Sequence, residues 1–218
     1  MTARPIFLLV ATGLCLTVSL PEVRAAARDA APKLLSTTGG NVPRWKDDAE
    51  MKRMAEAGDA EACLEMGLLA ENGGETPPDY IAARLWYERA ASKGMLEAEF
   101  RLGKLVSEGL GGSENQEAAL QHFMKAAEGG MPIAQYNVGA MLASGRGARR
   151  DQIEGLAWLI VASRDPEVDP EGEKRLREHL ARRPADIAAA EKRAEVLTAL
   201  LAERKAKAES AKPATGKK

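Results

Sequence analysis

The fold is decided by three related hexapeptides, Ala62-Cys63-Leu64-Glu65-Met66-Gly67, Ala98-Glu99-Phe100-Arg101-Leu102-Gly103 and Ala134-Gln135-Tyr136-Asn137-Val138-Gly139. Each begins 36 residues after the previous one, and the first alanine and the last glycine are kept while the polar positions vary. A fixed period between about 20 and 50 residues is the signature of a stacked repeat array. The sequence therefore predicts repeated units that stack on one another.

The same period continues downstream of each hexapeptide. Glycine recurs where a helix would end, and Asp or Asn recurs where the next helix would begin, so each unit reads as helix, turn, helix. The residues in register are Gly73, Gly109 and Gly145, then Asp79, Asn115 and Asp151, then Trp86, His122 and Trp158. In the first unit, apolar spacing predicts two inward-facing stripes. They contain Ala62, Met66, Leu69 and Ala70 on the first helix, and Ala83, Trp86, Tyr87, Ala90 and Ala91 on the second.

A glycine also recurs in the middle of each first helix, at positions 67, 103 and 139. Glycine inside a helix costs about 1 kcal/mol relative to alanine. Its recurrence predicts that two helix backbones approach each other closely there. The third unit has Gly155 at an alanine position, and we expect this departure to loosen a helix contact.

These patterns resemble a known repeat family. The resemblance rests on the runs Ala134-Gln135-Tyr136-Asn137-Val138-Gly139-Ala140-Met141-Leu142-Ala143-Ser144-Gly145-Arg146-Gly147 and Ala83-Arg84-Leu85-Trp86-Tyr87-Glu88-Arg89-Ala90-Ala91. They are similar to Sel1-like repeats, which are relatives of the tetratricopeptide repeat. The resemblance implies an all-α fold, a right-handed α-solenoid of about three 36-residue helix-turn-helix units over residues 45–166. A helix from Trp45 to Ala57 is predicted to form an N-terminal half-repeat.

Two charged helices are predicted after the repeats, within residues 171–210. The first covers Glu171 to Arg183, and Pro184 in the first turn begins the second, which runs to about Glu209. We expect this pair to form a C-terminal helical cap, with a coiled-coil partner for the second helix as the alternative. Residues 211–218 are predicted to be a disordered, Lys-rich tail. The second helix has a heptad-like seam of Ile187, Ala190, Ala194, Leu197 and Leu201.

Residues 1–25 read as a secretory signal peptide. Arg4 precedes an apolar run of 15 residues from Ile6 to Leu20, and Val23-Arg24-Ala25 resembles a small-residue cleavage site. The run is short for a membrane span, which needs about 20 residues. The sequence therefore predicts a periplasmic protein without a stable membrane span after cleavage, with secretion or an uncleaved anchor as alternatives. Residues 26–44 lack apolar periodicity and are predicted to be a disordered linker.

Little in the sequence points to catalysis. The formal net charge of −1 gives no electrostatic case for nucleic-acid binding. No cluster has metal-ligand spacing, and no nucleophile elbow or phosphate loop appears. We therefore predict a protein that is not an enzyme, with no catalytic residue, cofactor or metal. His122, at a tryptophan position, is interpreted as a packed, hydrogen-bonded histidine.

Cys63 is the one cysteine after the predicted signal peptide. Its equivalents in the other units are Glu99 and Gln135, so the position is predicted to lie outside the core. A lone accessible thiol could form an intermolecular disulfide. A partly covered, inert thiol is the alternative.

The best candidate for a functional surface is the concave groove of the solenoid, which the first helix of each unit lines. Opposite the apolar stripe, these helices change from acidic to mixed to nearly neutral along the array. Such variation at fixed repeat positions is typical of a recognition surface, and ordinary solvated helix faces are the alternative. The predicted protein-binding residues are Glu61, Glu65, Leu68, Glu97, Arg101, Lys104 and Asn137.

The resemblance implies a non-enzymatic scaffold or adaptor in the bacterial cell envelope, which binds a peptide or protein segment in this groove during signalling or complex assembly. One alternative is activity towards β-lactams, since some cysteine-rich Sel1-like proteins have been linked to penicillin binding and β-lactam hydrolysis. Those proteins carry a disulfide in each repeat, whereas this chain keeps only Cys63. The other alternative is a structural subunit that docks through its C-terminal helix.

Overall fold

The structure, a computed structural model, describes residues 45–73 and 76–211. The predicted signal peptide, the predicted linker and residues 212–218 of the predicted tail lie outside the described residues. Within the described part of the chain, every regular element is an α-helix. The helices are α1 (Asp48–Glu56), α2 (Ala60–Asn72), α3 (Tyr80–Ala91), α4 (Leu96–Ser107), α5 (Gln116–Glu128), α6 (Pro132–Ser144), α7 (Gln152–Ala162), α8 (Glu171–His179) and α9 (Pro184–Ala211). None of these described helices combines the length and the hydropathy that crossing a bilayer requires.

Consecutive helices pack against one another, from α1 on α2 through to α6 on α7. Three helix-turn-helix units result, namely α2 with α3, α4 with α5, and α6 with α7. Helix α1 packs on the first unit in the place of a preceding second helix. The predicted all-α solenoid with an N-terminal half-repeat is confirmed.

The second helix of each unit begins at a side-chain cap, as the sequence predicts. The Oδ1 atoms of Asp79, Asn115 and Asp151 each accept a hydrogen bond at 2.9 Å from the backbone N–H three residues later. These bonds satisfy N–H groups that have no partner within the helix. One residue per unit therefore caps the start of the second helix.

The first described helix begins later than predicted. It starts at Asp48 rather than at Trp45, because the Asp47 carboxylate accepts a hydrogen bond from the N–H of Glu50 at 2.8 Å. This cap fixes the start of the helix three residues beyond the predicted position. The apolar pattern around Trp45 did not reveal it.

The buried face of α2 differs from the predicted stripe. Ala62 is buried as predicted, but Leu69 is 42% exposed, while Cys63 and Leu68 are only 1% and 6% exposed. Helix α2 packs against α1 on one side and α3 on the other, so its buried arc is wider than a single amphipathic stripe and is shifted by one residue. The predictions that Cys63 lies outside the core and that Leu68 lines a surface groove are therefore wrong.

The two aromatic residues of α3 have different surroundings. Tyr87 is fully buried, as predicted. Trp86 is only half-buried, and the Arg89 guanidinium lies over its ring at 4.6 Å from the centroid. The prediction that Trp86 faces inward together with Tyr87 is therefore wrong.

The glycine in the middle of each first helix marks a close helix crossing, as its recurrence predicts. A Cβ atom at Gly103 would lie 2.7 Å from the ring of Phe123. In the third unit the two backbones themselves meet, because a Cβ atom at Gly139 would lie 2.8 Å from the carbonyl oxygen of Gly155. Gly155 therefore tightens the crossing, and the expectation that it loosens the contact is wrong.

The C-terminal helices fold back on the third unit and form the predicted cap. Helix α8 packs on α7 and α6, and α9 packs on α7. Ala190 and Ala194 of α9 are fully buried and Leu197 is 5% exposed, so the heptad-like seam is used within the chain rather than by a coiled-coil partner. Helix α8 ends at His179, before the predicted Arg183, because the chain turns ahead of Pro184.

We predict that Gly139→Ala lowers the free energy of unfolding by about 1–3 kcal/mol, although alanine favours helices by about 1 kcal/mol. The added methyl group would meet backbone atoms of α7, which cannot rotate away as a side chain can. Urea unfolding followed by circular dichroism measures the change. Ala188→Gly, at an exposed position of α9, is the control, because it measures the difference in helix propensity between alanine and glycine where no other helix is crossed. A Gly139→Ala variant as stable as the unmodified chain would contradict the close crossing.

Candidate protein-binding surface

The outward side of the first helices carries six of the seven predicted binding residues. We call this set the first-helix surface. All six side chains are partly exposed, whereas Leu68 is buried between helices and does not belong to it. The members are Glu61 and Glu65 on α2, Glu97, Arg101 and Lys104 on α4, and Asn137 on α6.

Arg101 is held in place by two carboxylates at the junction of the first and second units. Its Nε donates a hydrogen bond to Oε1 of Glu97 at 2.7 Å, and its Nη1 lies 3.6 Å from Oε2 of Glu71 on α2. Burial lowers the pKa of Arg101, but the hydrogen bond and the charge of Glu97 outweigh it and raise the pKa above its ordinary value. The guanidinium is therefore a fixed positive charge on this surface.

Glu71 connects this ion pair to the interior. Its Oε2 accepts a hydrogen bond at 2.5 Å from the hydroxyl of the buried Tyr87. Burial and the hydrogen bond to Glu71 both raise the pKa of Tyr87, so the hydroxyl keeps its proton and acts as a donor. The network joins α2, α3 and α4, and it could not be read from sequence because its members are distant along the chain.

Glu65 is half-buried on α2. Burial raises the pKa of its carboxyl above the ordinary value. An ionised carboxylate that has lost part of its hydration gains from a nearby positive charge. This end of the first-helix surface, with Glu61 beside it, is therefore suited to a cationic group.

The third unit contributes less open surface than the repeat pattern predicts. Asn137 donates from Nδ2 to the carbonyl oxygen of Ile133 on its own helix at 2.8 Å. Next to it, Ala140 and Ser144 line a cavity that α8 borders with Arg175 and His179. Helix α8 therefore bounds the first-helix surface at its C-terminal end, and the open part spans mainly α2 and α4.

The position of Cys63 is buried in all three units, and sequence reasoning missed its role. The Cys63 thiol donates to the carbonyl oxygen of Ala55 at 3.3 Å, and Gln135 Nε2 donates to the equivalent oxygen of Ala127 at 3.2 Å. Both bonds join a first helix to the second helix before it. Burial raises the pKa of the Cys63 thiol, so the thiolate needed for disulfide exchange is disfavoured.

The middle unit has a carboxylate at this position, and its hydrogen bonds go to different partners. Glu99 is 8% exposed, and Oε2 lies 2.7 Å from Nδ1 of His122 while Oε1 accepts from Lys125 Nζ at 3.1 Å. His122 is thus a packed, hydrogen-bonded histidine, as predicted. Within residues 45–73 and 76–211, no three His, Cys, Asp or Glu side chains form a group that could hold a metal ion.

Comparison with known families agrees with this arrangement. A model of the Sel1 repeat matches residues 60–95, 96–131 and 132–165. These ranges coincide with the three helix pairs. The chain contains three Sel1 repeats. Sel1 repeat proteins generally mediate protein–protein interactions, and their scaffolds are generally non-enzymatic.

The solved structures that are similar to this chain include the following two. One is a protective antigen present in uropathogenic Escherichia coli strains that displays an SLR fold, with a TM-score of 0.66 and 26% identity over 78% of this chain. This chain spans only 37% of that antigen. The other is a Sel1 repeat protein from Oxalobacter formigenes, with a TM-score of 0.53 and 26% identity over 62% of this chain and 99% of that one. No curated protein sequence matches the chain.

We predict that Glu65→Gln raises the free energy of unfolding at pH 7 and leaves it nearly unchanged at pH 4. Because the folded-state pKa of Glu65 is raised, the unmodified chain loses stability as the pH rises from the ordinary carboxyl pKa of about 4.3 through the folded-state value. Glutamine stays neutral and avoids this loss. Urea unfolding between pH 4 and pH 7 measures the difference, with the exposed Glu88→Gln as control. A difference that shrinks towards pH 7 would contradict the burial of Glu65.

We also predict that Cys63 reacts slowly with a thiol reagent in the folded chain and rapidly in urea, because its side chain is covered and its pKa is raised. The measurement compares reaction with a disulfide reagent at pH 8 in both states. The thiol of a Glu61→Cys, Cys63→Ala variant provides the accessible control. Rapid reaction of folded Cys63 would show that the position is open after all.

Proposed function

We propose that this Sel1 repeat protein is a non-enzymatic scaffold or adaptor in the bacterial cell envelope, which binds a peptide or protein segment on the first-helix surface. The observation that carries the proposal is the rigid presentation of different charges at equivalent positions of α2 and α4. Fixed charges on rigid helices recognise a partner at low entropic cost. The three Sel1 repeats support protein partners in general.

The order of the charges along the first-helix surface indicates which charges a bound segment would carry. Glu61 and Glu65 lie at the α2 end, and Lys104 lies beyond the Glu97–Arg101 pair on α4. We therefore propose a segment with a basic residue over α2 and an acidic or polar residue over Lys104. Electrostatic complementarity of this kind gives specificity more than affinity.

The competing functions receive less support from the contacts. The heptad-like seam of α9 is buried against α7, so this face of the C-terminal helix is not open for docking. The β-lactam alternative depends on relatives with a disulfide in each repeat, whereas Cys63 is a free, buried thiol. A periplasmic location is proposed from the N-terminal apolar run alone, and release of the chain by osmotic shock tests it.

We predict that a photo-crosslinking residue at Glu65 or Lys104 captures a protein in the cell envelope, whereas one at Gln121 does not. Gln121 is exposed on α5, away from the first-helix surface, and is the matched control. Crosslinked species are detected on gels and identified by mass spectrometry. Lys104→Glu should weaken capture at Glu65, because the charge order is disturbed. Capture from Gln121 alone would overturn the proposed surface.

A further inference from the structure

A second apolar face, separate from the first-helix surface, lies on α3. Ile81 and Leu85 are one turn apart and are 65% and 56% exposed, the highest values among the large exposed hydrophobic side chains of the described residues. The half-buried Trp86 lies beside them. Paired exposed apolar side chains on one helix face are typical of an interaction site. The α3 outer face consists of Ile81, Ala82, Leu85, Trp86 and Arg89.

In the third unit, the face equivalent to the α3 outer face is covered by another helix. The equivalent residues, 72 positions later on α7, lie beneath α9. Arg193 of α9 pairs with Glu154 at 2.7 Å, and Arg164 at the end of α7 bonds to the Thr198 hydroxyl. The α7 face is therefore a docking site for a helix with a seam of small residues and leucine. The buried cluster includes Ala157, Trp158 and Val161 of α7 with Ala194 and Leu197 of α9.

The second unit shows the opposite case. Its equivalent face on α5 is polar, with Glu117 and Gln121 in place of Ile81 and Leu85. Both side chains are exposed. A polar face at this position is therefore compatible with the repeat, so Ile81 and Leu85 are not required by the packing of the unit.

The charges around the two apolar faces differ in sign. Under α9, the arginines of the docked helix meet acidic side chains, Arg193 with Glu154 on α7 and Arg204 with Glu128 on α5. On α3, the place of Glu154 is taken by Ala82, and Arg89 stands where α7 has Val161.

This change disfavours a second copy of the chain as the occupant. Helix α9 of another copy would bring Arg193 to Ala82, where it would lose the acidic partner that Glu154 provides on α7. A helix that carries a carboxylate over Arg89 would instead gain an attractive contact there.

We propose that the α3 outer face docks an amphipathic helix of another protein. The helix has a seam of alanine and leucine spaced like that of α9 and a carboxylate that meets Arg89. This partner binds on second-helix residues, so its site is independent of the first-helix surface.

Two synthetic peptides test the proposal. Both have the sequence of residues 184–204 with Arg193→Ala, and they differ at position 198, where one carries Thr198→Glu and the other Thr198→Lys. Fluorescence anisotropy measures their binding to the full chain and to three variants. Ile81→Glu with Leu85→Gln gives α3 the residues that α5 carries, Ile133→Gln removes an exposed apolar side chain elsewhere, and Lys104→Glu alters the first-helix surface.

The expected result is that the glutamate peptide binds the chain, binds the Ile81→Glu, Leu85→Gln variant about tenfold or more weakly, and is unaffected by Ile133→Gln or Lys104→Glu. The lysine peptide should bind more weakly than the glutamate peptide. Circular dichroism confirms that each variant is folded.

Other results would overturn the proposal. If the glutamate peptide binds the Ile81→Glu, Leu85→Gln variant as tightly as the unmodified chain, the peptide binds α7 by displacing α9. If neither peptide binds the chain, the α3 outer face does not accept such a helix. A dimer in sedimentation velocity that the α3 variant abolishes would make this face a contact between copies. Binding only after removal of residues 26–44 would make that segment its occupant.

Discussion

The crossing of the two helices at a glycine within each unit is the contact on which the rest of the structure depends. At Gly103 the room left by the missing side chain is filled by the ring of Phe123, and at Gly139 it is filled by the backbone of α7. A larger residue would push the first helix away from the second. The crossing therefore fixes how far the first helices stand out, and with that the position of every charge on the first-helix surface.

The contact between units depends on a second position, which varies chemically but stays buried. Cys63 and Gln135 are donors, and each reaches a carbonyl oxygen of the preceding second helix. Glu99 has no proton to donate when ionised, and it binds His122 and Lys125 of its own unit instead. His122, at the tryptophan position, and Glu99, at the cysteine position, thus compensate for each other, because each provides the partner that the other needs. An unpaired carboxylate at this depth would be costly.

The sequence predicted the parts of the structure that depend on local chemistry. The 36-residue period predicted the three units, and Asp79, Asn115 and Asp151 predicted where their second helices begin. It did not predict which side of α2 is buried, because a helix with neighbours on two sides has no single apolar stripe, and Leu68 and Cys63 were misplaced for that reason. The Glu71–Tyr87–Arg101 network and the approach of α8 to Ser144 depend on contacts between distant segments, which no local pattern encodes.

The central claim is that this Sel1 repeat protein recognises a partner through the charges of its first helices. Covalent labelling of carboxylates, read residue by residue by mass spectrometry on the chain alone and in complex with the captured partner, tests it most directly. The account predicts reduced labelling of Glu61, Glu65 and Glu97 in the complex and unchanged labelling of Glu117 on α5. Reduced labelling at Glu117 with no change at Glu65 and Glu97 would contradict it.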